Sequence, residues 1–201
     1  MKMSIKNVVF DIGRVLIDFD FEGFVSGLFG EEKGRLVNDA MWANPAWNEL
    51  DKGVLSDEEV LRLFIAKEPQ LEKEIRIAFA KMGECAQMRK GVVELIERLK
   101  AEGYGVYYLS NFFEYLMHTA PWALEFVPHT DGGVFSCHEK ITKPDPAIFG
   151  ILCKRFGLDP AECVFIDDTE RNVRAAEIFG MKGIHFVGQT YGELFTQITK
   201  V

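Results

Sequence analysis

The period of the apolar positions changes along the chain. From Arg89 onward, short apolar runs alternate with stretches of helical period. Within Gly91–Glu102, Val92, Leu95, Ile96 and Leu99 share one helical face, and Gly103 stands where a helix stops. Gly105–Leu109 then reads as a buried strand, and Pro146–Phe156 as a helix closed by Gly157. Asp159-Pro160-Ala161-Glu162 has a cap, a first-turn proline and a glutamate three after the cap. Only a single turn fits there, because Val164–Ile166 follows as a strand. Glu170–Phe179 predicts a helix ending at Gly180, and Gly183–Val187 a last strand. With Asn7–Phe10 as the opening strand, this alternation predicts an α/β fold, a parallel sheet with helices on both faces.

Residues 18–87 have another texture. Val25–Phe29, Arg35–Trp42, Ser56–Ala66 and Leu71–Met82 read as helices with no clear strand between them. Ser56-Asp57-Glu58-Glu59 is a capping box that starts the third. The expected architecture is a Rossmann-like core, residues 1–17 and 88–201, carrying a small all-helical cap at 18–87.

Composition narrows the function classes. The 201 residues carry 31 acidic and 23 basic side chains, a net charge of −8. Such a balance argues against nucleic acid or an anionic membrane as partner, since phosphate backbones are bound by clustered Lys and Arg. No apolar run is long enough for a membrane span, and the first residues lack the apolar stretch of a secretory signal. Four cysteines without a CxxC pair read as buried free thiols, so the expected compartment is the cytoplasm. The four histidines form no zinc-binding pattern.

In open parallel sheets, ligands sit beyond the carboxyl ends of the strands. Four segments there carry chemistry: Asp11-Ile12-Gly13-Arg14, Ser110-Asn111, Lys143-Pro144-Asp145-Pro146 and Asp167-Asp168-Thr169. Each alone is ordinary turn or cap chemistry. Together they bring three carboxylates to one sheet edge, where they repel unless a hard, oxygen-loving cation such as Mg²⁺ lies between them.

In this order, the four motifs resemble those of the haloacid dehalogenase superfamily, most of whose members are Mg²⁺-dependent phosphatases. The resemblance covers essentially the whole chain, cap included. It implies that Asp11 is a nucleophile that forms an aspartyl-phosphate, later hydrolysed by water. It implies that Ser110 and the Asn111 backbone amide bind phosphoryl oxygens, and that Lys143 offsets charge at the nucleophile and the transferring group. Asp11, Asp167, Asp168 and the Gly13 carbonyl would hold the metal. Asn172 stands where many relatives carry a further acid. The expected partner is a small phosphate ester, a sugar phosphate such as a sugar-1-phosphate.

The departure is Gly13. The usual phosphatase motif is Asp-x-Asp, whose second Asp protonates the leaving oxygen. General acid–base help is worth roughly 10²–10⁴-fold. A good leaving group, an acid delivered by the cap, or weak catalysis by a protein that mainly binds would each account for its absence. A metal-independent 2-haloacid dehalogenase is the enzymatic alternative, although such enzymes put a bulky aromatic residue at the Gly13 position. A receiver-like switch would carry its acidic pair first and have no cap. In the cap, Trp42, Trp47 and Glu49 are candidates to face substrate, beside the reading of the tryptophans as packing. Arg14 could reach a substrate anion. Phe112, Phe113 and Tyr115 could line the cap hinge, and His138, near Glu139, is a candidate for the missing acid. His118 offers nothing beyond its type.

Overall fold

β1 (Asn7–Phe10) is the middle strand of a five-stranded parallel sheet in the computed structural model, which describes residues 4–201. Met1–Met3, the start of the expected first core segment, lie outside the described residues. β1 is apolar throughout its buried length because both faces are covered. Val8 and Phe10 point into one core cluster and Val9 into the other, the period of two of a strand.

After β1 the chain forms β2 (Ile17–Phe19) and then five cap helices. These are α1 (Phe21–Phe29), α2 (Glu31–Ala40), α3 (Trp47–Lys52), α4 (Asp57–Lys67) and α5 (Glu72–Lys81). β3 (Ala86–Met88) returns antiparallel to β2, so the cap stands on a two-stranded stalk. The core resumes with α6 (Val92–Ala101), β4 (Gly105–Ser110), α7 (Glu114–Thr119), β5 (Gly132–Phe135) and α8 (Ser136–Glu139). It closes with α9 (Pro146–Phe156), β6 (Cys163–Asp167), α10 (Glu170–Phe179), β7 (Lys182–His185) and α11 (Tyr191–Ile198).

The order β5-β4-β1-β6-β7 reverses direction at β1. The carboxyl ends of β1, β4 and β6 therefore open onto one crevice, the position at which parallel sheets bind ligands. This is the expected Rossmann-like sheet with a helical cap. The capping box at Ser56 is present in α4, with Ser56 and Glu59 bonding each other's backbone N–H. Several elements go beyond the expected set: the stalk strands, the short helices α3, α7 and α8, edge strand β5 and helix α11. The expected last strand, Gly183–Val187, is β7 and stops at His185. α11 has its own capping box, Thr190 with Glu193, and buries Leu194, Phe195 and Ile198. No described helix is long and apolar enough to cross a membrane, and all four cysteines are unpaired.

Candidate active site

Asp11 leaves β1 still tied to the sheet, its N–H donating to the Ile166 carbonyl at 2.8 Å. Its carboxylate meets the Lys143 ammonium at 2.7 Å, and the same ammonium reaches Asp167 at 2.6 Å. Lys143 is buried, so these two charges are what keep it ionised. Burial alone would lower its pKa, but Asp11 and Asp167 together hold it above the ordinary value. Burial pushes Asp11 up to about 7, with Lys143 opposing, Asp167 adding to the rise and the Ser110 hydroxyl, buried at the end of β4, opposing it to a lesser degree.

Two neighbours explain how Lys143 is aimed. Asn111 clamps its backbone from both sides, accepting from the Lys143 N–H at 2.7 Å and donating to its carbonyl at 3.1 Å. Asp167 holds the other end, and all of that carboxylate is occupied. One oxygen accepts from the Thr169 N–H at 2.8 Å, the other from Lys143, and the Asn172 amide lies 3.1 Å from both. Asp168 differs. It lines a cleft of about 530 Å³, and its cationic partner, Arg14, is 3.5 Å away on an exposed side chain. Burial and the charge of Asp167 raise its pKa, while Arg14 opposes.

Asp11, Asp167 and Asp168 each offer an oxygen within 4.8 Å of the others. An all-oxygen set of this kind suits a hard divalent cation. The Asn172 side-chain oxygen, buried at the same edge of the cleft, has no hydrogen-bond partner. A cation with its water shell would satisfy that oxygen and relieve the carboxylate repulsion, so the residues present fit such an ion.

The family model for haloacid dehalogenase-like hydrolases matches residues 5–180. The chain belongs to that family. A flavin mononucleotide hydrolase from Arabidopsis thaliana is 25% identical over 92% of this chain and 74% of its own. A D-ribitol-5-phosphate phosphatase from Bacteroides thetaiotaomicron is 28% identical over 89% of this chain and 90% of its own. Among solved structures, a HAD family enzyme from the same bacterium, in complex with magnesium and inorganic phosphate, superposes with a TM-score of 0.72. That pair is 23% identical and the match covers 96% of this chain and 100% of the other, a likeness of fold.

On the core side of this haloacid dehalogenase-like cleft lie Asp11, Gly13, Arg14, Asn111, Lys143 and Asp168, together with Phe112 and Phe113. Gly13 is not a packing requirement, because a Cβ there would meet nothing within 4 Å and its φ is not positive. The missing second Asp is thus a chemical difference, not a steric one.

The cap side departs from expectation. Trp47 does line the cleft, but as the hub of an aromatic cluster it is mainly packing. Its ring lies 4.8 Å from Trp42, 5.2 Å from Phe21, and 5.6 Å from Phe113 of the core. Trp42 is the more open of the two, 41% exposed. Glu49 turns away from the cleft and pairs with Lys52 at 3.1 Å. His138 is exposed and rests edge-on against Phe135, outside the cleft. Tyr115 packs on Phe79 and is likewise outside it. Asn44, Asn48 and Asp51 supply the polar cap surface instead, and Arg171 joins Arg14 at the core rim. Asn48 and Asp51 share a face because they are three apart on α3, a helix too short to leave a periodic signal.

Proposed function

We propose that the protein is a Mg²⁺-dependent phosphatase of small phosphomonoesters, with sugar phosphates, a sugar-1-phosphate among them, as its substrate class. The observation that carries this reading is the buried Asp11–Lys143–Asp167 chain, with Asp168 open to the same cleft. Asp11 attacks phosphorus in line with the ester oxygen, the ester bond breaks, and water later hydrolyses the phosphorylated Asp11. Lys143 opposes the effect of burial on Asp11, favouring its ionised form, and faces the transferring phosphoryl group. Ser110 and the Asn111 N–H bind phosphoryl oxygens. Asp11, Asp167, Asp168 and the Gly13 carbonyl would hold Mg²⁺, Asp167 while also bonding Lys143. When bound, the ion neutralises charge on the phosphoryl oxygens.

The sugar preference rests on the two-sided cleft. Phe19, Trp42 and Phe113 offer an apolar wall, and Asn44, Asn48 and Asp51 a polar one. A sugar ring has the matching apolar face and hydroxyl edge. Docking of α3 over the crevice shields the reaction from bulk water. The free thiols fit a reducing compartment, the cytoplasm.

The test is a panel of phosphorylated metabolites assayed with and without Mg²⁺, with Asp11→Asn as control. Metal-dependent phosphate release that the substitution abolishes is expected. Halide release from 2-haloacids without metal would establish the dehalogenase instead. Tight binding of a phosphate ester without turnover would make the protein a binding module.

A further inference from the structure

We propose that Asp51 is the general acid and base of this cleft, supplied by the cap in place of the acid that Gly13 lacks. The proposal rests on the phosphatase reading and assigns that site a further catalytic residue. Gly13 leaves the leaving-group oxygen without a proton donor on the core loop, so a donor must enter from another element lining the cleft. Asp51 is the one carboxyl that the cap contributes to the lining.

Its situation differs from that of every other acid there. Asp11 and Asp167 are paired with Lys143, and Asp168 with Arg14. Among the described residues, no ion pair or hydrogen bond engages the Asp51 carboxyl. It lines the same cleft as Asp11 and Lys143, the nucleophile and its partner. Burial, with the charge of Asp11, lifts it to about 7, so both its protonated and its ionised forms are present near neutral pH.

The backbone beneath Asp51 is fixed to the core, not left to cap motion. The Ser136 hydroxyl donates to the Asp51 carbonyl at 2.5 Å, the Lys140 ammonium to the Gly53 carbonyl at 2.5 Å, and the Thr142 hydroxyl to the Asn48 side-chain oxygen at 3.2 Å. Three hydrogen bonds over one and a half turns hold this segment against the core, with Asp51 in the lining of the cleft.

In the first step, an Asp11 oxygen bonds to phosphorus as the ester P–O bond breaks. The electron pair goes to the leaving oxygen, which takes the Asp51 proton and departs as the alcohol. In the second, the Asp51 carboxylate takes a proton from water as the water oxygen bonds to phosphorus. The Asp11–phosphorus bond breaks, free phosphate leaves, and Asp11 is again a carboxylate.

The experiment compares a sugar or alkyl phosphate, whose leaving oxygen needs a proton, with 4-nitrophenyl phosphate, whose nitrophenolate does not. Asp51→Asn is expected to lower kcat/KM, which reports the steps up to departure of the leaving group, by about 10²-fold or more on the first and by less than about threefold on the second. The retained nitrophenyl kcat/KM shows that the variant is folded, while kcat falls on both esters because hydrolysis of phosphorylated Asp11 loses its base. Asp51→Glu should recover part of the alkyl rate, and Gly13→Asp added to Asp51→Asn should restore it from the core side. Equal losses of kcat/KM on both substrates in a variant that melts like the wild type, or none on the alkyl ester, would overturn the role of Asp51 and leave the phosphatase reading intact. A wild type inactive on both esters with Mg²⁺ would overturn the two together.

Discussion

The core and the cap face each other across one cleft but place their polar groups by different means. In the core, each candidate side chain sits at the end of a buried strand, and its position follows from the sheet. Lys143 is the exception, held in a loop by Asn111 and two carboxylates. In the cap, position comes from aromatic packing around Trp47 and from hydrogen bonds that α3 makes to the core. The difference teaches that the candidate nucleophile and its cation are anchored in the sheet, while the cap's contribution, recognition and the proposed proton donor, is anchored in a docked helix. Damage to the first should therefore abolish turnover, and loss of cap packing should loosen the substrate or the lid.

The largest expected effect is at Lys143. Lys143→Ala leaves Asp11 and Asp167 buried without a counter-charge, a loss of about 3–5 kcal/mol in urea unfolding. Its kcat should fall by about 10³-fold or more, because the nucleophile loses the cation that favours its ionised form. Trp47→Ala tests the cap. Emptying the aromatic hub should cost about 3–5 kcal/mol, read as earlier melting of the cap and a raised KM. If kcat falls as far in Trp47→Ala as in Lys143→Ala, the division of labour is wrong.

A smaller effect is expected at Gly53, where α3 ends in a left-handed turn with φ +63°. A Cβ there would lie 2.9 Å from the Cys137 carbonyl. Gly53→Ala should cost about 1–2 kcal/mol from the turn alone, and it should raise KM by pushing α3 off α8. Its kcat on saturating 4-nitrophenyl phosphate should stay near wild type.

A last expectation concerns pH. Asp11 and Asp51 both have folded values near 7, against 3.8 for an unperturbed carboxyl. A raised carboxyl binds its proton more tightly in the folded state, so its contribution to stability is full below about 4 and is lost as pH rises to about 7. Metal-free protein should therefore melt at lower temperature at pH 8 than at pH 5. Asp51→Asn should narrow that difference, gaining relative stability at the higher pH. A variant that tracks the wild type across the range would show that Asp51 titrates as an ordinary surface acid.

What could be read from the sequence follows the same division. Asp11, Ser110, Lys143 and Asp168 were legible because β1, β4 and β6 announce themselves as apolar runs. The sequence could not say which of two adjacent acids turns inward. Asp167, the last residue of β6, faces Lys143, whereas Asp168 lies one residue beyond and opens to the cleft. β5 was hidden for a packing reason. A Cβ on Gly133 would fall 2.3 Å from the Tyr108 ring, so the strand is built of residues that carry no strand signal. α3 was missed because six residues give less than two turns of periodicity and no side chain caps its start. With α3 went Asn48 and Asp51, and Glu49 and His138 were named in their place. The T-x-x-E box that opens α11 was present at Thr190 and Glu193 and would have revealed that helix.

The stalk has a consequence for inheritance. Ile17 pairs with Met88 and Phe19 with Ala86, so the chain leaves the core and returns to it at neighbouring points. Residues 20–85 form a cassette whose two ends lie one strand spacing apart, about 4.8 Å. A different lid spliced at that junction would cut none of the five parallel strands and would leave Asp11, Lys143 and Asp168 where they are. Descendants of such a chain can change what they recognise by trading the cassette and keep the nucleophile and its cation, provided that the new lid brings its own proton donor in place of Asp51.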